Sequence, residues 1–124
     1  MSTRCQVQVV GEDEKFTLYH HWDGYPSNMV KLLCEAYASF KAKPRAGGTA
    51  GKAVSFVVAA DPDGYEVEEG HELHGDIEWY YRLFAGKTWE LEINTASYRQ
   101  TGLTVVVERS PLSIELAKLA EPTD

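Results

Sequence analysis

Met29, Leu32, Leu33, Ala36, Tyr37 and Phe40 recur at the three-and-four spacing that lines up along one side of an α-helix. Pro44 bars continuation, because its ring removes a backbone donor and crowds the preceding turn. Ser27 or Asn28 is the expected cap at the other end. The pattern predicts one long helix from Ser27 to Lys43 whose apolar stripe needs a surface to cover it.

The segments around it have the other period. Cys5, Val7 and Val9 alternate with Gln6 and Gln8, and Phe16 and Leu18 with Thr17 and Tyr19. With Gly11-Glu12-Asp13-Glu14 as a polar turn between them, they predict a hairpin of half-buried strands. Val54 to Ala59 reads as a buried strand and Asp61-Pro62-Asp63-Gly64 as a turn. Ile77, Trp79 and Tyr81 alternate with Glu78, Tyr80 and Arg82, which assigns the first three to the core face of a strand. Ala85-Gly86-Lys87 turns it into a second strand with Trp89, Leu91 and Ile93 inward. Leu103 to Val107 adds a strand. Ser110 and Pro111 open a short helix with Leu112, Leu116 and Leu119 as its apolar side. The order β-β-α-β-β-β-β-α predicts a single α+β domain over residues 1–124. Its sheet is mainly antiparallel, with the long helix and the short C-terminal helix packed on one face.

A chain of 124 residues, 44% apolar, can bury a core without metal or disulfide support. Cys5 and Cys34 lie in strand-like and helix-like runs and are expected to be reduced, as in a cytoplasmic protein. No leader-like or membrane-spanning run is evident, so no membrane association is expected. The net charge of −7 disfavours general nucleic-acid binding, which needs a basic footprint. Arg45 to Ala53 superficially resembles a phosphate-binding loop. However, Ala46 stands where the first glycine is needed and Ala53 where a magnesium-holding hydroxyl is needed, so it is read as a flexible loop. No cofactor and no resident metal are expected.

All four histidines fall in two acid-laced clusters, His20-His21-Trp22-Asp23-Gly24-Tyr25-Pro26 and His71-Glu72-Leu73-His74-Gly75-Asp76-Ile77-Glu78. Imidazoles beside carboxylates suit metal ligation, proton transfer or hydrogen bonding to a polar ligand. Strand phase separates the first pair: His20 follows Phe16 and Leu18 inward, whereas His21 shares a face with Asp23. In the second cluster His74, Asp76, Glu78 and Tyr80 share a face. Glu66, Glu68, Glu69, Glu72, Asp76 and Glu78 fall within thirteen positions that hold no Lys or Arg.

The strings Leu18-Tyr19-His20-His21-Trp22-Asp23-Gly24-Tyr25-Pro26 and His74-Gly75-Asp76-Ile77-Glu78-Trp79 resemble a family of small proteins from bacterial, prophage and phage genomes. That family carries an "RHWDGYP"-like segment and an "HGDIEY"-like segment. Here His20 stands where Arg is usual and Trp79 where Tyr is usual. The resemblance implies a genomic setting and no particular reaction. Small phage proteins often act by binding, either blocking a host defence protein or sequestering its nucleotide signal.

The resulting expectation is a non-enzymatic binding protein that contacts its ligand through His21, Trp22, Asp23, Tyr25, His74, Asp76 and Glu78. Arg82, Arg99 or Arg109 would neutralise a phosphate. Partners would be a small polar or nucleotide-like ligand or a host protein, with self-association into a homo-oligomer also weighed. Two alternatives stand beside it: a metal-assisted hydrolase using the same His, Asp and Glu set, and an acidic docking module that competes with nucleic acid for a basic partner. The shared-site idea makes a geometric demand, that the two clusters meet in space.

Overall fold

A computed structural model of the chain describes residues 3–43, 49–96 and 102–121. It is an α+β fold. Strands β1 (Arg4–Val10) and β2 (Lys15–His20) form the expected hairpin. Helices α1 (Pro26–Lys41) and α2 (Ala50–Ala60) follow, then β3 (Tyr65–Val67), β4 (Ile77–Phe84), β5 (Glu90–Ala96), β6 (Leu103–Pro111) and α3 (Glu115–Ala120). The six strands form one sheet in the order β3-β2-β1-β4-β5-β6. The sheet is mixed: β1 and β4 run parallel at its centre, and every other neighbouring pair is antiparallel.

The stripe on α1 behaves as its spacing demands. Met29, Val30 and Leu33 are fully buried, and Ala36 and Phe40 nearly so. They join Cys5, Val7, Val9, Leu18, Tyr81, Leu83, Leu91 and Ile93 in one core on one face of the sheet, with α2 and α3 contributing to the same core. Trp89 is completely enclosed, stacked on Tyr37 at 5.1 Å and tilted against Phe40 at 5.0 Å. Each such aliphatic or aromatic side chain contributes about 1.5–3 kcal/mol on burial. The helix starts one residue earlier than expected. Pro26 occupies its first turn and Tyr25 is the N-cap, while Asn28 instead donates to the Asp23 carbonyl at 2.8 Å.

Four expectations are corrected. Val54 to Ala59 is helix rather than strand: the Thr49 side chain accepts from the Lys52 amide, and Ala50, Ala53 and Val57 bury one side of α2. Valine's β preference is a small term, and burial against α1 outweighs it. Of the loop read over 45–53, residues 49–53 form that cap and first turn, and 45–48 lie outside the described residues. The acidic stretch holds a short strand, β3. The C-terminal helix begins at Glu115, with Ser110 and Pro111 ending β6 instead of opening that helix; Leu119 is 64% exposed, and Leu112, Leu116, Ala117 and Ala120 pack on the core.

The fourth correction concerns Ile77. Arg4 pairs with Ile77 but Cys5 pairs with Trp79, which leaves Glu78 as the extra residue of a β-bulge. The bulge inverts the phase on its N-terminal side. Trp79 and Tyr81 stay on the helix face, whereas Ile77 joins Tyr19 and Tyr80 in a second small cluster.

Candidate functional site: the Tyr19 junction

The sheet face opposite the helices is polar yet buried. Gln6, Gln8, Thr17 and Asn94 are at most 6% exposed. Residues 68–76, which connect the end of β3 to the start of β4, account for the Gln6 side of this burial. None of them belongs to either apolar cluster, and they are tied to the sheet by polar contacts. The Gln6 carboxamide donates to the Glu72 carbonyl at 3.0 Å and to Glu68 Oε1 at 3.3 Å, and accepts from the His74 amide at 3.1 Å. Thr17 Oγ1 and His71 Nδ1 are 2.8 Å apart. The Glu68 amide donates to the Thr17 carbonyl at 2.9 Å.

Tyr19 is where the two clusters meet. Its phenol donates to Asp76 Oδ2 at 2.6 Å. The His21 ring stands edge-on to it, with centroids 4.7 Å apart, and the His74 ring lies tilted against it, also at 4.7 Å. His74 Nε2 is hydrogen-bonded in turn to Glu68 Oε1. Arg4 Nε lies 3.7 Å from Asp76 Oδ2, and both side chains are about half exposed. Burial, reinforced by the bond to Asp76, pushes the Tyr19 phenol well above its ordinary range, so it keeps its proton and remains a donor.

The other expected residues take different places. Trp22 and Tyr25 are 40% and 37% exposed, and the Trp22 ring lies 6.4 Å from that of His21. Asp23 adopts a left-handed backbone conformation, φ 49°, where its carbonyl receives the Asn28 side chain at 2.8 Å. Glu78 is exposed at the bulge. Arg82 pairs with Glu92 at 3.6 Å and Arg109 with Glu90 at 2.8 Å, both on strands β4–β6. Arg99 lies outside the described residues.

His20 turns inward as its phase requires and is fully buried. Its Nε2 lies 2.7 Å from Asp61 Oδ2, and its Nδ1 has no partner. The Asp61–Gly64 turn closes over this pair: the His21 amide donates to the Gly64 carbonyl at 3.0 Å, and a Cβ on Gly64 would sit 2.5 Å from His20 Nε2.

Sequence reading passed over Tyr19, Gln6, Arg4, Glu68 and Asp61. Tyr19 and Gln6 were visible as one cross-strand pair of the hairpin, but an alternating glutamine reads as solvent-facing unless something is known to cover it. Among the described residues, no group of three or more His, Cys, Asp or Glu side chains is placed to hold a metal ion, and no helix is long and apolar enough to cross a membrane. A groove of about 600 Å³ lies at the β1–β2 turn, lined by Glu12, Asp13, Glu14, Phe16 and His71. It includes none of the Tyr19 contacts. No protein-family model, curated protein or solved structure matches the chain.

Proposed function

We propose that this chain is a small, non-enzymatic binding protein of phage or prophage type, acting in the host cytoplasm. Its ligand site is the Tyr19 junction. The observation supporting this reading is the packing of His21 and His74, one from each cluster, against a single tyrosine whose hydroxyl meets Asp76. The end of β2 and the 68–76 segment hold two imidazoles and a half-exposed carboxylate there, beside the exposed ring of Trp22, which suits a polar ligand with a planar or charged group. Sequestering a nucleotide-like signal or occupying a site on a host protein would each use such a surface. Native mass spectrometry of the protein purified from its host tests the reading. A retained small molecule or partner that is lost in His21→Ala and Trp22→Ala supports it. Bare protein with both variants fully active in cells opposes it.

The acidic docking alternative has one observation in its favour. Leu73 and Val67 are 46% and 57% exposed among the exposed carboxylates of Glu66, Glu69, Glu72 and Glu78. A basic protein carrying an apolar pocket would complement that surface.

A further inference from the structure

We propose that the group bound at the Tyr19 junction is a cation, an ammonium or guanidinium, rather than a phosphate. This rests on the reading of the junction as a ligand site and specifies what that site takes. Three observations point the same way. First, Tyr19 has no proton to spare: a phenol has one, and it already goes to Asp76. A phosphate oxygen could claim it only by displacing Asp76 and loosening the 68–76 segment. Second, acceptor capacity remains. Asp76 is half exposed and accepts one short bond, while its nearest cationic neighbour, Arg4, stands off at 3.7 Å, beyond hydrogen-bond reach. Third, that Arg4 guanidinium is the chain's own example of what the carboxylate attracts. An incoming cation would compete with it, whereas a phosphate would depend on it.

The surrounding field agrees. No Lys or Arg occurs from residue 66 to 78, and the carboxylate of Glu68, bonded to His74, adds its charge to that of Asp76 beside Tyr19. The exposed indole of Trp22 beside His21 offers a face on which a poorly hydrated cation can rest.

Arg4 and Asp76 make the proposal falsifiable, because the two ligand classes respond to them in opposite directions. The probes are agmatine as a free cation, an acetyl-Gly-Arg-Gly amide as a cation carried by a peptide, and adenosine monophosphate as a planar anion. Each is titrated into the full chain while the His21 and His74 ring resonances are followed. Agmatine or the peptide should shift both rings, and the tighter of the two identifies the source of the cation. Arg4→Gln should tighten that binding at least about threefold, and Asp76→Asn should weaken it about tenfold or more. The asparagine oxygen can still accept from Tyr19, so the fold is preserved; an unchanged melting temperature checks this. Adenosine monophosphate binding that weakens in Arg4→Gln, with agmatine inert, overturns the cation assignment and leaves the ligand-site reading standing. Silence of both rings towards all three probes overturns the cation assignment as well. The ligand-site reading then stands or falls on the retained molecule in the native mass spectrum.

Discussion

Replacing Gln6 by Met tests the claim that a single buried carboxamide holds the second cluster against the sheet. Methionine matches glutamine closely in length and volume, so the change isolates hydrogen bonding from cavity formation. Three bonds are lost: to Glu68, to the Glu72 carbonyl and from the His74 amide. Each contributes about 0.5–1.5 kcal/mol net. Glu72 and His74 lie at the surface and can turn to water once released, which places the total toward the lower end, about 1–3 kcal/mol. For a domain of this size the melting temperature should fall by roughly 3–5 °C per kcal/mol. Urea denaturation gives the free energy directly, and the midpoint should drop with an unchanged slope, because the main core keeps all its contacts. A local signature should accompany it: the His74 ring resonances lose the shielding of Tyr19 while those of His21 stay put. A loss below about 0.5 kcal/mol with His74 unmoved would refute the argument, since it would mean that residues 68–76 are held by something other than Gln6.

The turn after β2 makes opposite predictions for adjacent residues. A Cβ at Gly24 would lie 2.9 Å from Cys5 Cβ and 3.0 Å from the Arg4 carbonyl carbon, so Gly24→Ala should cost about 1–3 kcal/mol by chemical denaturation. Asp23→Gly should be neutral or slightly stabilising because it relieves the positive φ, while Asp23→Ala should cost about 1 kcal/mol. Burial raises the Cys5 thiol and the phenols of Tyr19, Tyr65, Tyr80 and Tyr81 above ordinary values of 9.0 and 10.0. These groups release protons more readily when unfolded. The stability they contribute is therefore complete below about pH 8 and lost as pH climbs through the unfolded values toward the folded ones. Urea midpoints should fall between about pH 8 and about pH 11, and Cys5 should resist thiol reagents until the protein unfolds.

The sequence was most readable where a period ran uninterrupted. The α1 stripe, the β1–β2 hairpin and, from Trp79 onward, the β4–β5 pair keep their phase over many residues, and there the faces emerged correctly. Legibility failed where tertiary context reverses a local signal. A valine-rich stretch became helix because α1 offered it a surface. One bulge residue, Glu78, turned Ile77 to the opposite face, and no composition rule announces a bulge. Gln6 and Thr17 looked solvent-facing because their cover comes from residues about sixty positions away. The junction was legible in half: the histidines and Asp76 were visible as candidates, whereas Tyr19, which joins them, looked like one more alternating residue.

His20 shows how a motif residue can be structural, and Asp61 provides the test. The ring is fully buried, with Nε2 2.7 Å from the Asp61 carboxylate and Nδ1 facing no partner. A neutral ring carrying its proton on Nε2 satisfies this arrangement, because a second N–H on Nδ1 would be buried with nothing to accept it. An amide oxygen can accept the Nε2 proton as a carboxylate does. Asp61→Asn should therefore cost less than about 1 kcal/mol, while Asp61→Ala, which leaves both ring nitrogens unpaired, should cost about 1–3 kcal/mol. If the ring were instead an imidazolium, removing the negative charge would strand a buried cation, and Asp61→Asn would cost about 3–5 kcal/mol. The comparison is read from urea midpoints of the two variants, with the His20 tautomer assigned from its ring-nitrogen shifts. A large loss in Asp61→Asn would overturn the neutral-ring reading. It would also make His20 a charge stored beneath Trp22 rather than a packed core residue.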